Sequence, residues 1–243
     1  MRDTLQLLSI CAERLENSYA VVDEEQSVTY GEFFDRVALL SGAIANTDVA
    51  HPKVLLNLPQ GIDAYAAMFA THMAGGYYCP LNIGHPTNRK HLISNIFEPD
   101  IVLSRSSLEG EFLAEIPHHR ILYIDNHIDA TRLEKPKTAH ELAYVMFTSG
   151  SSGEPKGVMV GRNALSHYAA WAGRTMKVTP EDRWSQHPNI GFDLSVLDIY
   201  GALCHCACLF PVKGIKGRLI PAEAIKAFRM TIWNSVPSVL DVM

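Results

Sequence analysis

Short apolar runs rich in Val, Ile, Leu and Tyr alternate with longer amphipathic stretches along the whole chain. That alternation constrains the fold more than any other feature. Asp3 can cap a first helix whose apolar face is Leu5, Leu8, Cys11, Ala12 and Leu15. A hairpin is expected from 19–22 to 28–30. Further helices are expected at 31–45, 62–73, 87–96, 163–174, 195–203 and 222–228. Strands are expected at 54–58, 77–81, 101–104, 121–124, 144–148, 158–160, 206–210 and 232–235. The polar segment 125–140 reads as a surface loop. Strands separated by helices imply βαβ units. The expected class is therefore α/β, with mostly parallel sheets flanked by helices.

The 243 residues carry 21 basic and 26 acidic side chains. No basic run marks a nucleic-acid partner, and no apolar stretch is long enough for a membrane helix. The N-terminal residues lack the apolar core of a signal peptide. An odd number of cysteines, five in all, does not suggest a disulfide framework, and a reducing cytoplasm is the expected setting. Cys204, Cys206 and Cys208 would share one face of a strand. Their C-x-C-x-C spacing suits zinc poorly, so they read as small core residues.

The segment Thr148-Ser-Gly-Ser-Ser-Gly-Glu-Pro-Lys-Gly157 lies between two apolar strands. Gly150, Gly153 and Gly157 let the backbone approach a ligand. Thr148, Ser149, Ser151 and Ser152 supply hydroxyls, and Lys156 supplies positive charge. Together these groups suit phosphate oxygens. A Gly/Ser hairpin tip without a ligand has the same composition, and the Walker spacing is not met.

The longer run from Tyr144 to Val160 resembles the phosphate-loop signature of the adenylate-forming superfamily. Acyl-CoA synthetases, luciferases and nonribosomal peptide synthetase adenylation domains belong to it. Ser27-Val-Thr-Tyr-Gly-Glu-Phe33 resembles an early motif of that superfamily. So does Met73-Ala-Gly-Gly-Tyr-Tyr-Cys-Pro-Leu-Asn82 with His85-Pro-Thr-Asn-Arg89, and so does Ile232-Trp-Asn-Ser-Val-Pro-Ser238.

Gly191-Phe-Asp-Leu-Ser-Val-Leu-Asp-Ile-Tyr200 begins an apolar helix. Asp193 alone could be a helix cap. The segment also resembles the F-D-x-S motif of amino-acid-adenylating members; it looks closest to D-alanine–carrier protein ligases, with stand-alone or modular adenylation domains of peptide synthetases as the alternative. There the Asp pairs with the substrate ammonium group. The resemblance places Phe192, Asp193 and Leu197 at the amino acid, with Leu194 flanking it. His187, five residues before Phe192, reads as a structural histidine, with a substrate-facing role as the alternative.

The resemblance further implies ATP with Mg²⁺, an amino acid substrate and a phosphopantetheinyl carrier protein. Thr148, Ser149, Gly150, Ser151, Ser152, Gly153 and Lys156 would hold the phosphates. It assigns no catalytic residue and no metal ligand within 1–243. The tyrosine and glutamate of the family's Tyr-Gly-Pro-Thr-Glu type motif have no counterpart here. Neither do the ribose-binding aspartate and the lid domain with its catalytic lysine. The chain is thus expected to be the N-terminal part of an adenylation domain, without the rest of the large domain, and inactive alone. A fragment of an acyl-CoA synthetase and a short non-catalytic binding protein are the alternatives.

Overall fold

The computed structural model describes residues 2–126, 128, 130–149, 154–214, 217 and 220–240. The chain forms two compact units. One contains 1–34, 60–62 and 165–243, the other 35–59 and 63–164.

The second unit holds a six-stranded sheet. Its strands are β3 (Lys53–Asn57), β4 (Tyr77–Pro80), β5 (Ile101–Ser104), β6 (Ile121–Tyr123), β7 (Leu142–Ser149) and β8 (Pro155–Gly161). Their order is β6-β5-β3-β4-β7-β8, parallel up to β7 and antiparallel at β8. Val54, Leu55 and Leu56 are consecutive and fully buried, as in a parallel strand covered on both faces. The connecting helices are α3 (Ile62–Met73) and α4 (Thr87–Phe97), then a short α5 (Glu111–Ala114). Helix α3 is apolar on every side, with Tyr65, Ala66, Ala67, Phe69 and Ala70 all buried, which is the pattern of a core helix. Gly75, at φ +87°, ends it, and the Gly76 N–H returns to the Thr71 carbonyl.

Within this unit, Arg162 follows β8 directly and donates from Nη2 to the carbonyls of His72 and Gly76, at 3.0 and 2.7 Å. The base of the β7–β8 hairpin is thereby tied to the end of α3. His72 itself is buried, and its Nε2 lies 3.0 Å from the Ala143 carbonyl oxygen. The acceptor fixes Nε2 as the protonated nitrogen. Burial, with the Arg162 charge adding to it, lowers the His72 pKa to about 3.

The unfolded chain therefore binds a proton at this side chain that the folded one refuses. Stability is complete above the ordinary histidine pKa near 6.5 and falls as pH drops from there toward 3. The slope expected from this group is about 1.4 kcal/mol per pH unit. Urea unfolding at pH 7 and pH 5 should show the loss. A His72→Gln variant, compared over the same interval, should show a flatter dependence. Equal slopes would exclude His72 as the source.

The first unit begins with α1 (Thr4–Arg14). Asp3 accepts from the Gln6 N–H, and the Gln6 side chain accepts from the Asp3 N–H, which closes a capping box. Strands β1 (Tyr19–Val22), β2 (Ser27–Thr29), β9 (Arg183–Gln186) and β10 (Cys208–Pro211) form a sheet in the order β2-β1-β10-β9. β1 and β2 are antiparallel, and the remaining pairs are parallel. Among the described residues the chain's remaining α-helices are α2 (Tyr30–Ala45), α6 (Arg162–Met176), α7 (Leu194–Leu203), α8 (Pro221–Phe228) and α9 (Pro237–Leu240), with 35–45 of α2 belonging to the second unit.

In the first unit two expectations are corrected, at 232–235 and at the clustered cysteines, and one strand, β9, was not expected. The strand expected at 232–235 is a single bridge, Trp184 to Ile232. Beyond it the Asn234 N–H meets the Ser185 hydroxyl rather than a backbone carbonyl, so no ladder continues. Trp184, Ser185 and Gln186 are fully buried in β9, a strand whose mixed polarity gave no apolar run to read. Finally, the clustered cysteines share no strand. Cys204 caps α7, Cys206 sits at φ +65° in the turn, and Cys208 starts β10. The same turn brings Cys206 to Cys11 of α1, and the two form a disulfide.

Candidate functional site

In the second unit, the antiparallel register sets Thr148 opposite Lys156 and Ser149 opposite Pro155. All of Tyr144, Val145 and Met146 are buried, while Thr148, Ser149 and Lys156 are exposed. The strand's apolar half anchors the hairpin, and its polar end faces solvent. Gly157 faces Phe147 across the pair, where an added Cβ would lie 3.2 Å from the ring. A hydroxyl and a lysine ammonium side by side offer hydrogen-bond donors and positive charge to an anion. Gly150, Ser151, Ser152 and Gly153 lie outside the described residues.

In the first unit, a turn leads into α7. The Gly191 N–H meets the Asn189 side chain, and the Phe192 N–H meets the Asn189 carbonyl. Ser195 is buried, and its hydroxyl donates to the Phe192 carbonyl at 2.6 Å. These bonds hold Asp193 at the N-cap position of α7. Its side chain is exposed and makes no capping hydrogen bond. Among the described residues no ion pair or hydrogen bond holds the carboxylate, which lies beside a helix N-terminus. It borders a pocket of about 320 Å³, lined also by His187, Pro188, Phe192, Leu194 and Val236. Phe192 is 60% exposed at its rim. Leu197, one turn further on, is half-buried and does not line it. The His187 ring packs against Trp233 with centroids 5.0 Å apart. An apolar pocket with one unpaired carboxylate suits a small molecule bearing a cation next to apolar groups.

Behind this wall lies a group that the sequence reading did not single out. Asp198 is fully buried in α7. Its Oδ1 accepts from the Trp184 indole at 3.1 Å and from the Asn234 amide at 3.0 Å. Its Oδ2 is buried without a hydrogen-bond partner among the described residues. Burial pushes its pKa well above the usual carboxylate range, although both hydrogen bonds oppose the shift. Burial, with Asp198 and Asp193 adding to it, also raises the Tyr168 hydroxyl, whose ring stacks on Trp171. The available signal was an acid within the otherwise apolar run Val196-Leu-Asp-Ile-Tyr200.

A family model described as AMP-binding enzyme matches residues 9–243. The chain is 30% identical to the L-proline–(L-prolyl-carrier protein) ligase of Pseudomonas fluorescens, covering 95% of this chain and 49% of that protein. It is 31% identical to the isonitrile lipopeptide synthase of Streptomyces coeruleorubidus, covering 86% of this chain and 15% of the synthase. Among solved structures, the AMPPNP-bound form of the nonribosomal peptide synthetase FmoA3 superposes with a TM-score of 0.88. It is 28% identical and is matched over 99% of this chain and 26% of FmoA3. The chain thus spans about half the length of the proline ligase and smaller shares of the synthetases. None of its described helices is long and apolar enough to cross a membrane.

Proposed function

The chain belongs to the family of AMP-binding enzymes, and from that membership we propose that it is part of a ligase that activates an amino acid with ATP. The observation that carries the amino acid part is Asp193, a free carboxylate on an apolar pocket. An α-ammonium group is the natural counter-ion, and a fatty acid brings none.

In this reading the substrate carboxylate attacks the α-phosphorus of ATP. The bond to the bridging oxygen breaks, pyrophosphate leaves, and an aminoacyl-adenylate forms. A carrier-protein phosphopantetheine thiol then takes the acyl group and releases AMP. The part of this chain is positioning and charge neutralisation. Lys156 offsets phosphate charge. Thr148 and Ser149 donate hydroxyl hydrogen bonds to phosphate oxygens, together with Ser151, Ser152 and the N–H groups of Gly150 and Gly153. Asp193 holds the ammonium group, with Phe192 at the rim of the pocket and Leu197 beside it. Mg²⁺ accompanies the ATP phosphates. No group of three His, Cys, Asp or Glu among the described residues fits a metal ion. A cytoplasmic location, where ATP and amino acids are at hand, belongs to this reading, and the Cys11–Cys206 disulfide is the one feature that argues against a reducing setting.

Amino-acid-dependent ATP–pyrophosphate exchange tests it, on this chain and on the full product of its gene. The panel is both alanine enantiomers, glycine, serine and proline, with a fatty acid as control. Exchange by the gene product with an amino acid is the expected result, and exchange with the fatty acid alone would overturn the reading. In the active protein, Lys156→Ala is expected to raise the KM for ATP about tenfold, the loss of one charge-assisted contact. An unchanged KM would remove Lys156 from the phosphate site.

A further inference from the structure

The Cys11–Cys206 disulfide lies within the first unit, at the other end of α7 from Asp193. Cys206 follows α7 in a turn closed by the Ala207 N–H, which returns to the Ala202 carbonyl at 3.2 Å. It holds the left-handed conformation there, at φ +65°. Glycine is the usual residue in such a helix-ending turn, because a β-carbon is crowded in that conformation. Cysteine stands there at a cost in stability, and what its side chain adds is the bond to Cys11.

The two sulfurs are not equally accessible. Cys11 is buried in α1, at 1% exposure, whereas Cys206 is half-buried. A thiol from solution therefore reaches the bond from the Cys206 side. Cys204 and Cys208 flank the turn, yet neither is equipped to attack the bond from within. Burial pushes both thiols well above the usual cysteine range, so they stay protonated, and the thiolate is the attacking form. The turn has its own support, since the Tyr30 hydroxyl donates to the Ala207 carbonyl at 2.8 Å. Opening the bond thus leaves the turn in place, and α1 is the element set looser.

We infer that Cys11 and Cys206 form a reversible redox latch, closed by a low-molecular-weight disulfide to fasten α1 to the turn after α7 and opened by a low-molecular-weight thiol. In the opening step a thiolate RS⁻ attacks the Cys206 sulfur. The S–S bond breaks, and its electron pair goes to the Cys11 sulfur, which takes a proton. A second RS⁻ attacks the outer sulfur of the mixed disulfide and releases Cys206, which is protonated in turn. Two RSH are oxidised to RSSR, and one protein disulfide is reduced to two thiols. Closure is the reverse, with RSSR as the oxidant. A partly exposed bond is the labile kind, and a pair that opens and closes suits a compartment rich in thiols. None of these steps rests on the amino acid reading.

Glutathione, reduced and oxidised in varied ratio, is the probe. Alkylation followed by peptide mass spectrometry counts the open and closed forms of the full chain. The pair should pass from closed to open as the reduced share rises, with Cys204 and Cys208 unlinked throughout. A bond that persists in excess reduced glutathione is a permanent cross-link and overturns the latch. A pair that stays open in excess oxidised glutathione overturns it too. Hydrogen exchange should show the amides of Thr4–Arg14 less protected in the open form, by about tenfold. Equal protection would mean that the bond does not hold α1.

Cys206→Gly adds a test of sign. Against the open wild type it should raise the thermal midpoint by about 2–4 °C, because glycine relieves the left-handed strain. Against the closed wild type it should lower the midpoint by about 10 °C, the loss of a cross-link spanning 195 residues. A Cys206→Gly chain less stable than both forms would show that the position gains nothing from glycine, and would overturn the reading of Cys206 as a residue kept there for its bond.

Discussion

Asp193→Asn is expected to lower kcat/KM for the amino acid in ATP–pyrophosphate exchange by roughly 10²- to 10³-fold. Removing one partner of a desolvated charge pair costs about 3–4 kcal/mol, because the ammonium group enters the pocket without a counter-ion. The effect should fall on the amino acid and leave the KM for ATP nearly unchanged, since the residues assigned to the phosphates are others. Folding should be almost unaffected. Asp193 is exposed and makes no capping hydrogen bond, and Asn is an equally good N-cap residue. The thermal midpoint of the variant, measured beside its kinetics, separates the two effects. A variant with full activity would show that Asp193 serves only as a helix start, and the amino acid reading would lose its main support.

Gly201→Ala is expected to destabilise the protein by about 2 kcal/mol. Gly201 lies in α7, where Ala is ordinarily favoured by about 1 kcal/mol. Here an added Cβ would stand 2.5 Å from Cη2 of the Trp184 ring. That ring is fully buried, and its indole nitrogen is held by Asp198. It cannot swing aside without breaking the hydrogen bond. Overpacking of a well-filled core costs about 1–3 kcal/mol and outweighs the helix preference. Urea unfolding should show a lower midpoint at unchanged slope. Gly110→Ala is a control, since nothing lies within 4 Å of the added atom. Pairing Gly201→Ala with Trp184→Phe should cost less than the sum of the two, because the smaller ring relieves the overlap. A neutral or stabilising Gly201→Ala would mean that α7 moves away from β9 with little resistance.

Asp193 and Gly201 stand near opposite ends of α7 and differ in how much of their surroundings local sequence shows. At Asp193 a helix start and a motif resemblance coincide within four residues, which the sequence shows, while its exposure came from the structure. Gly201 was not legible, because a glycine in an apolar helix says nothing about what faces it. Asp198 lies between these cases. An acid in an apolar run marks an exception, but its meaning depends on Trp184 and Asn234, 14 and 36 residues away in sequence.

By itself the sequence determined the alternation of helices and strands, the parallel sheets, the β7–β8 hairpin and the polar groups at its end. These follow from local periodicity and turn chemistry, which need only neighbouring residues. Helix α3 and strand β5 have the expected limits for that reason. Only the tertiary structure decided the rest. It made β9 a strand despite its polar residues, because burial beside β10 outweighs local preference. It reduced 232–235 to one bridge by giving the Asn234 N–H to a side chain. It joined Cys11 to Cys206 across 195 residues, and it lowered the pKa of His72 by burying the ring near the Arg162 charge. Each depends on groups distant in the chain coming together, and pairing over such separations leaves no periodic trace in the sequence.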